Sequence, residues 1–255
     1  MKRSTERFLT THTGSLPRPD DLVRTMFAKE EGVPVDPSAL SAQIRSAVAD
    51  VARKQASAGV DIINDGEQSK PSYATYIKDR LSGFGGASQA LQYQDLVDFP
   101  GMARRVFGDP GRARRKTPAC TGPISVRDPR AAQADTDNLR AALADVKAEE
   151  GGISFEAANP RHAHEWRVFE RIKLPEGKLI IPGVLDSTTN FIEHAELVAE
   201  RIARYARLVG RENVIAGTDC GFGTWVGQAA VDPDIVWAKL GSLAEGARLA
   251  SREFW

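Results

Sequence analysis

The strongest constraint on the fold is an alternation that runs through the second half of the chain. Short apolar runs, GISFEA (152–157), KLIIPGVL (178–185) and NVIAGTD (213–219), are separated by residues 162–172 and 193–210, whose apolar positions recur at helical spacing. The second helical stretch ends at Gly210, a usual helix terminator. Strand and helix in strict succession imply crossover connections, so the sheet is expected to be parallel and the class α/β. Similar signals occur nearer the start. Leu9 to Pro17 reads as a short strand entering an ordered loop, Pro37 to Gly59 as a helix carrying Leu40, Ile44, Val48 and Val51, and Val60 to Glu67 as the strand after it. Ala119 to Val126 reads as another strand, Pro129 to Glu150 as an alanine-rich helix, and Asp234 to Trp255 as a closing helix.

Two parallel architectures fit such a pattern. A doubly wound sheet would carry a glycine-rich phosphate loop after its first strand, but Thr13-Gly14-Ser15-Leu16-Pro17 has neither dinucleotide nor P-loop spacing. This disfavours a dinucleotide-dependent enzyme and favours a TIM-type (β/α)8 barrel, whose chemistry sits at the C-terminal strand ends. Here those ends supply Ser15, Glu67, Glu156, Asp186, Asp219 and Cys220.

At 255 residues, the chain fits one barrel-sized domain spanning 1–255, with an irregular excursion at about 73–118. That excursion includes the basic cluster Arg104, Arg105, Arg112, Arg114, Arg115 and Lys116, which reads equally as an anion-attracting segment or a solvated loop. The 34 basic and 34 acidic residues cancel, leaving no net field to draw in nucleic acid or an anionic membrane. No apolar run reaches spanning length and Met1 to Thr10 lacks a signal-peptide core, so a cytoplasmic location is expected. The two cysteines, Cys120 and Cys220, are expected to be reduced thiols.

Cys220 lies just beyond an apolar strand, where a thiol can bind metal or act as a nucleophile; the plain alternative is a buried, inert cysteine. Glu156 ends GISFEA and can ligate a metal or act as a base, or else form a structural ion pair. Glu67 can bind the ammonium of an amino acid or remain a surface carboxylate. His162 and His164 stand two apart at the start of a helix, where side chains diverge, which favours solvated or capping roles.

Five segments then come together: THTGSLPRP (11–19), GVDIINDGEQSK (59–70), SFEAANPRHAHEWRVFE (154–170), IPGVLDSTTNFIEHAELVAERI (181–202) and ENVIAGTDCGFG (212–223). In combination they resemble the C-terminal catalytic barrel of the cobalamin-independent methionine synthase family, especially its shorter single-barrel members. The resemblance implies a TIM barrel in which Zn2+ activates the homocysteine thiol to take a methyl group from 5-methyltetrahydrofolate bearing a glutamate tail. It implies Cys220 and Glu156 as metal ligands, and Ser15, Glu67 and Thr13 as substrate-binding residues.

The chain also departs from that family. The family's His-x-Cys strand and the Asp-Pro strand before it are absent, as if about three βα units of roughly 30 residues had been removed before residue 152. The histidine that follows the family's Gly-Val-x-Asp motif is missing from GVLDSTTN, so no catalytic residue is assigned. The barrel is accordingly expected to be incomplete, with exposed sheet edges through which copies could associate. The partners implied are a small thiol and a folate. Other zinc-thiolate alkyl transfers, such as demethylation or epoxide-thiol transfer, and a catalytically inactive ligand-binding remnant are the alternative readings.

Overall fold

A computed structural model describes residues 3–72, 76–86, 97–101, 119–143, 153–223 and 231–255. In chain order its elements are β1 (Leu9–Thr10), α1 (Asp20–Glu30), α2 (Pro37–Ser57), α3 (Ile77–Arg80), β2 (Leu81–Gly85), β3 (Ala119–Val126), α4 (Pro129–Leu143), β4 (Ile153–Phe155), β5 (Ile180–Leu185), α5 (Ala195–Val209), β6 (Ile215–Thr218) and α6 (Pro233–Phe254). Short 3-10 turns cover Glu165–Glu170 and Arg211–Asn213.

The architecture is mixed α/β around a parallel sheet. Its strand order is β1-β6-β5-β4, with Leu9 beside Ile215, Gly183 beside Gly217 and Ile153 beside Ile180. On the other flank of β1, Thr11 makes a single parallel bridge to Ile62. The first strand therefore lies beside the last, as the two ends of a barrel sequence do. Thr13 Oγ1 also lies 2.8 Å from Ser154 Oγ. Three strand spacings separate β1 from β4, about 14 Å in a flat sheet, so this contact requires the sheet to curl. The arrangement is consistent with part of an α/β barrel, and no closed barrel forms among the described residues.

The inner strands form where the sequence is apolar but for Thr218 at the end of β6, and every residue of β5 and β6 is buried. That is the pattern of parallel strands covered on both faces. α5 covers them with Val198, Ile202, Ala203, Tyr205 and Ala206, a set repeating at helical intervals, and α6 adds Val236, Leu240 and Leu243. Each fully buried Leu, Ile or Val is worth roughly 1.5–3 kcal/mol, so this contiguous cluster dominates the stability. Helix starts are set locally. Asp36 accepts from Ser38 N ahead of α2 and Asp232 from Asp234 N ahead of α6, each followed by a proline in the first turn. His194 caps α5 through Glu196 N. No helix among the described residues is long and apolar enough to cross a membrane.

Three expectations are corrected and one helix is new. Val60 to Glu67 is not a strand beyond the bridge at Ile62, because Gly66 and Glu67 both take positive φ (57° and 53°) and turn the chain. Ala119 to Val126 is a strand, but β3 pairs antiparallel with β2 in a separate two-stranded sheet and is almost wholly exposed. Residues 162–172 form turns and a 3-10 segment, not an α-helix. The helix α1, which was not anticipated, fills part of the loop after β1. The basic cluster from Arg104 to Lys116, most of the excursion at 73–118 and the end of the helix expected to reach Glu150 lie outside the described residues.

Candidate functional site

The parallel strands send their C-terminal ends to one edge of the sheet, and four loops meet there. After β6, Asp219 is buried while Cys220 is exposed. The Asp219 carboxylate reaches across β5 to the loop after β4. Its Oδ1 accepts from Ala157 N (2.7 Å) and Ala158 N (2.8 Å), and its Oδ2 from Asn159 N and Asn159 Nδ2 (both 2.8 Å). The crossing is possible because residue 183 is glycine: a Cβ there would lie 2.1 Å from Asp219 Oδ1. Asn159 Nδ2 also donates to Glu156 Oε2 at 3.0 Å. One buried carboxylate and one amide thus tie the Cys220 loop to the Glu156 loop.

The loop after β1 packs on the same edge. Ser15 is buried; its carbonyl accepts from Phe222 N (2.7 Å) and its Oγ from Gly223 N (3.2 Å). Gly221 permits this approach, since a Cβ there would lie 2.2 Å from Ser15 N. Thr13 N donates to Thr218 Oγ1 (3.1 Å), while its hydroxyl meets Ser154. Glu67, half-buried, is the one non-glycine residue with positive φ among the described residues. Asp65 Oδ1 accepts from its N–H at 3.0 Å.

These groups share one electrostatic environment. Loss of solvent around the Cys220 sulfur pushes its thiol above the ordinary value, and the charges of Glu156, Glu67 and Asp219 push the same way. The Gly221 N–H works in the opposite direction. Cys220 is exposed as a residue, so the effect reflects crowding at the sulfur and not deep burial. An edge with three carboxylates beside a protonated thiol suits a cationic group. His162 lies next to Glu156, with Nε2 3.6 Å from Oε2, but its Nδ1 faces Glu165 at 3.0 Å. His164 precedes the 3-10 turn and is exposed.

Several residues that shape this edge escaped the sequence reading. His12 is buried, its Nε2 3.1 Å from Gly14 O and its Nδ1 3.1 Å from Asn64 Nδ2, and burial lowers its pKa to about 4. The neutral ring with hydrogen on Nε2 satisfies both contacts. Arg18 donates to Gly223 O, Glu67 O and Lys70 O. The only advance signal was its place in the THTGSLPRP run. Asp186, a strand-end candidate, is a turn residue: Oδ1 accepts from Thr188 N and Oγ1, and the fully buried Lys239–Glu193 pair (2.7 Å) lies against its backbone.

As metal ligands, Cys220 and Glu156 offer one sulfur and one carboxylate. Among the described residues no group of three His, Cys, Asp or Glu side chains is arranged to hold a metal ion. Catalytic zinc takes three protein ligands, so these residues do not build a resident zinc site by themselves.

No family model and no curated protein matches the chain. Among solved structures, it is similar to a B12-independent methionine synthase from Shewanella sp. W3-18-1 in complex with selenomethionine, with a TM-score of 0.61 and 16% identity over 97% of this chain and 99% of that one. A second similar structure, from Listeria monocytogenes and assigned as a vitamin B12-independent methionine synthase, has a TM-score of 0.49 and 13% identity, covering 98% of each chain. At 16% identity the first likeness establishes a shared fold.

Proposed function

We propose that the chain is a methyltransferase of the methionine-synthase type, carrying a methyl group from 5-methyltetrahydrofolate to the thiol of homocysteine on a barrel shortened by about three βα units. The observation that carries this reading is the gathering of Ser15, Glu67, Glu156 and Cys220 at the C-terminal edge of a curled parallel sheet. It is supported by a neighbour of the same fold that holds selenomethionine, an amino acid of the size and charge of the product.

In this reading Glu67 binds the substrate ammonium. Its left-handed backbone costs on the order of 1–3 kcal/mol, a strain that persists where the surroundings over-determine it, as at ligand clamps. Ser15 Oγ, occupied as an acceptor by Gly223 N–H, keeps its own hydrogen for the substrate carboxylate, with the Thr13 hydroxyl nearby in the same loop. In the transfer, the S–CH3 bond forms as the N5–CH3 bond breaks, and the thiol proton ends on N5 of tetrahydrofolate. Zinc is the cofactor the reading would add, but the described residues fall short of a site for it, so no step rests on it. The same carboxylates oppose formation of a thiolate, which favours one second reading: a protein that binds the amino acid without turning it over.

The test is methionine formation from homocysteine and 5-methyltetrahydrofolate triglutamate, with and without added zinc, followed by mass spectrometry. Methionine should form with the wild type and not with Glu67→Gln or Cys220→Ala. Selenomethionine binding without methionine formation selects the second reading, and absence of both overturns the two together.

A further inference from the structure

We propose that Arg18 is the positioning residue of this edge, its one guanidinium holding three loops in the register that sets Ser15, Glu67 and Cys220 around a common ligand. The inference deepens the proposed function and rests on it for the ligand, though not for the geometry.

The side chain leaves the β1 loop and crosses to two others. Nη1 donates to Gly223 O at 2.8 Å, while Nη2 donates to Glu67 O at 2.9 Å and to Lys70 O at 2.8 Å. All three acceptors are backbone carbonyls, so Arg18 acts through the candidate residues and is not itself a catalytic residue. Its effect on each loop can be followed. Glu67 sits in the left-handed region with its N–H held by Asp65 and its carbonyl held by Arg18, which fixes the peptide on both sides of a strained residue. Gly223 is fixed likewise: Ser15 takes its N–H and Arg18 its carbonyl, three residues beyond Cys220. Pro17 and Pro19 flank Arg18 and restrict the backbone from which it reaches out. A planar fork with separated donors can serve carbonyls from two loops at once, whereas the point charge of lysine cannot reproduce that spacing.

The consequence is measurable without any ligand. Arg18 fixes the carbonyl side of Glu67, Lys70 and Gly223, so releasing its guanidinium should open the two loops that carry them while the parallel sheet behind them stays closed. The experiment follows amide hydrogen–deuterium exchange by mass spectrometry in peptides covering 62–72 and 218–223. Wild-type protein should protect both peptides, Arg18→Ala should exchange faster in both while β5 and α5 keep their wild-type protection, and Arg18→Lys should fall between, with circular dichroism confirming that each is folded. A folded Arg18→Ala with wild-type protection in both peptides would overturn the proposal. Should that variant fail to fold, Arg18→Lys decides the matter, and unchanged protection there overturns it equally. Calorimetry with selenomethionine adds a second readout: Arg18→Ala should lose roughly tenfold in affinity, about 1.4 kcal/mol. If the wild type binds no selenomethionine, the functional reading fails while the exchange profile still judges Arg18.

Discussion

Replacing Gly183 with alanine adds a single methyl group where Asp219 crosses β5. Gly183 does not use a positive φ, so alanine can adopt its backbone and the cost is steric alone. The new Cβ would stand 2.1 Å from Asp219 Oδ1 and 2.7 Å from both Asp219 N and Cα. Rotating the carboxylate away relieves the first clash but surrenders hydrogen bonds from Ala157 N and Ala158 N; the backbone clash remains and forces β5 and β6 apart. Hydrogen bonds to a charged group are worth about 1.5–3 kcal/mol each, and overpacking adds about 1–3 kcal/mol, so a loss of roughly 4 kcal/mol or more is expected. At roughly 2–4 °C per kcal/mol for a domain near this size, thermal unfolding should fall by about 10 °C. Differential scanning calorimetry reads this directly, and Gly183→Ser should behave in the same way. A folded Gly183→Ala melting within about 2 °C of the wild type, less than one kcal/mol on that scale, would refute the account of how Asp219 joins the Cys220 and Glu156 loops.

Three further outcomes can be checked. The folded His12 imidazole stays neutral down to about 4 while an unfolded one takes its proton near 6.5, so protons favour the unfolded chain in that window. Stability from this residue should be complete above pH 6.5 and fall by roughly 3 kcal/mol on descending to pH 4, at about 1.4 kcal/mol per pH unit; urea titrations at several pH values measure it, and His12→Asn should flatten that part of the profile. Glu67→Gly should stabilise the fold by about 1 kcal/mol, since glycine takes φ 53° without strain, yet abolish selenomethionine binding in calorimetry; a destabilised variant would contradict the strain argument. Lys239→Met should cost about 3–5 kcal/mol by leaving Glu193 buried and uncompensated, whereas pairing it with Glu193→Gln should recover much of the loss in chemical denaturation.

The second half of the fold was legible because its signals are local. IIPGVL and Ile215–Gly217 of β6 are apolar without interruption, α5 repeats its buried residues at helical spacing, and Gly210 ends it. What failed depended on partners distant in sequence. ACTGPISV has the character of a strand, but nothing in it specifies an antiparallel match to Leu81–Gly85. The turn at Gly66 and Glu67 was signalled by Asp65-Gly66, yet the apolar residues before it suggested a longer strand. For the candidate site, the sequence supplied Ser15, Thr13, Glu67, Glu156 and Cys220 as separate residues. It could not supply the contacts that bring their loops together, because Arg18, Asp219 and Gly183 act through neighbours 36 to 205 residues away, and an arginine between two prolines reads locally as a solvated turn.

A crystal structure grown with selenomethionine, located by the anomalous signal of its selenium, decides whether this edge is the amino-acid site. The account predicts the selenium near Cys220 and Glu156, the ammonium on Glu67 and the carboxylate at Ser15. A saturated crystal with no selenium at this edge, or with selenium bound elsewhere on the protein, would contradict it.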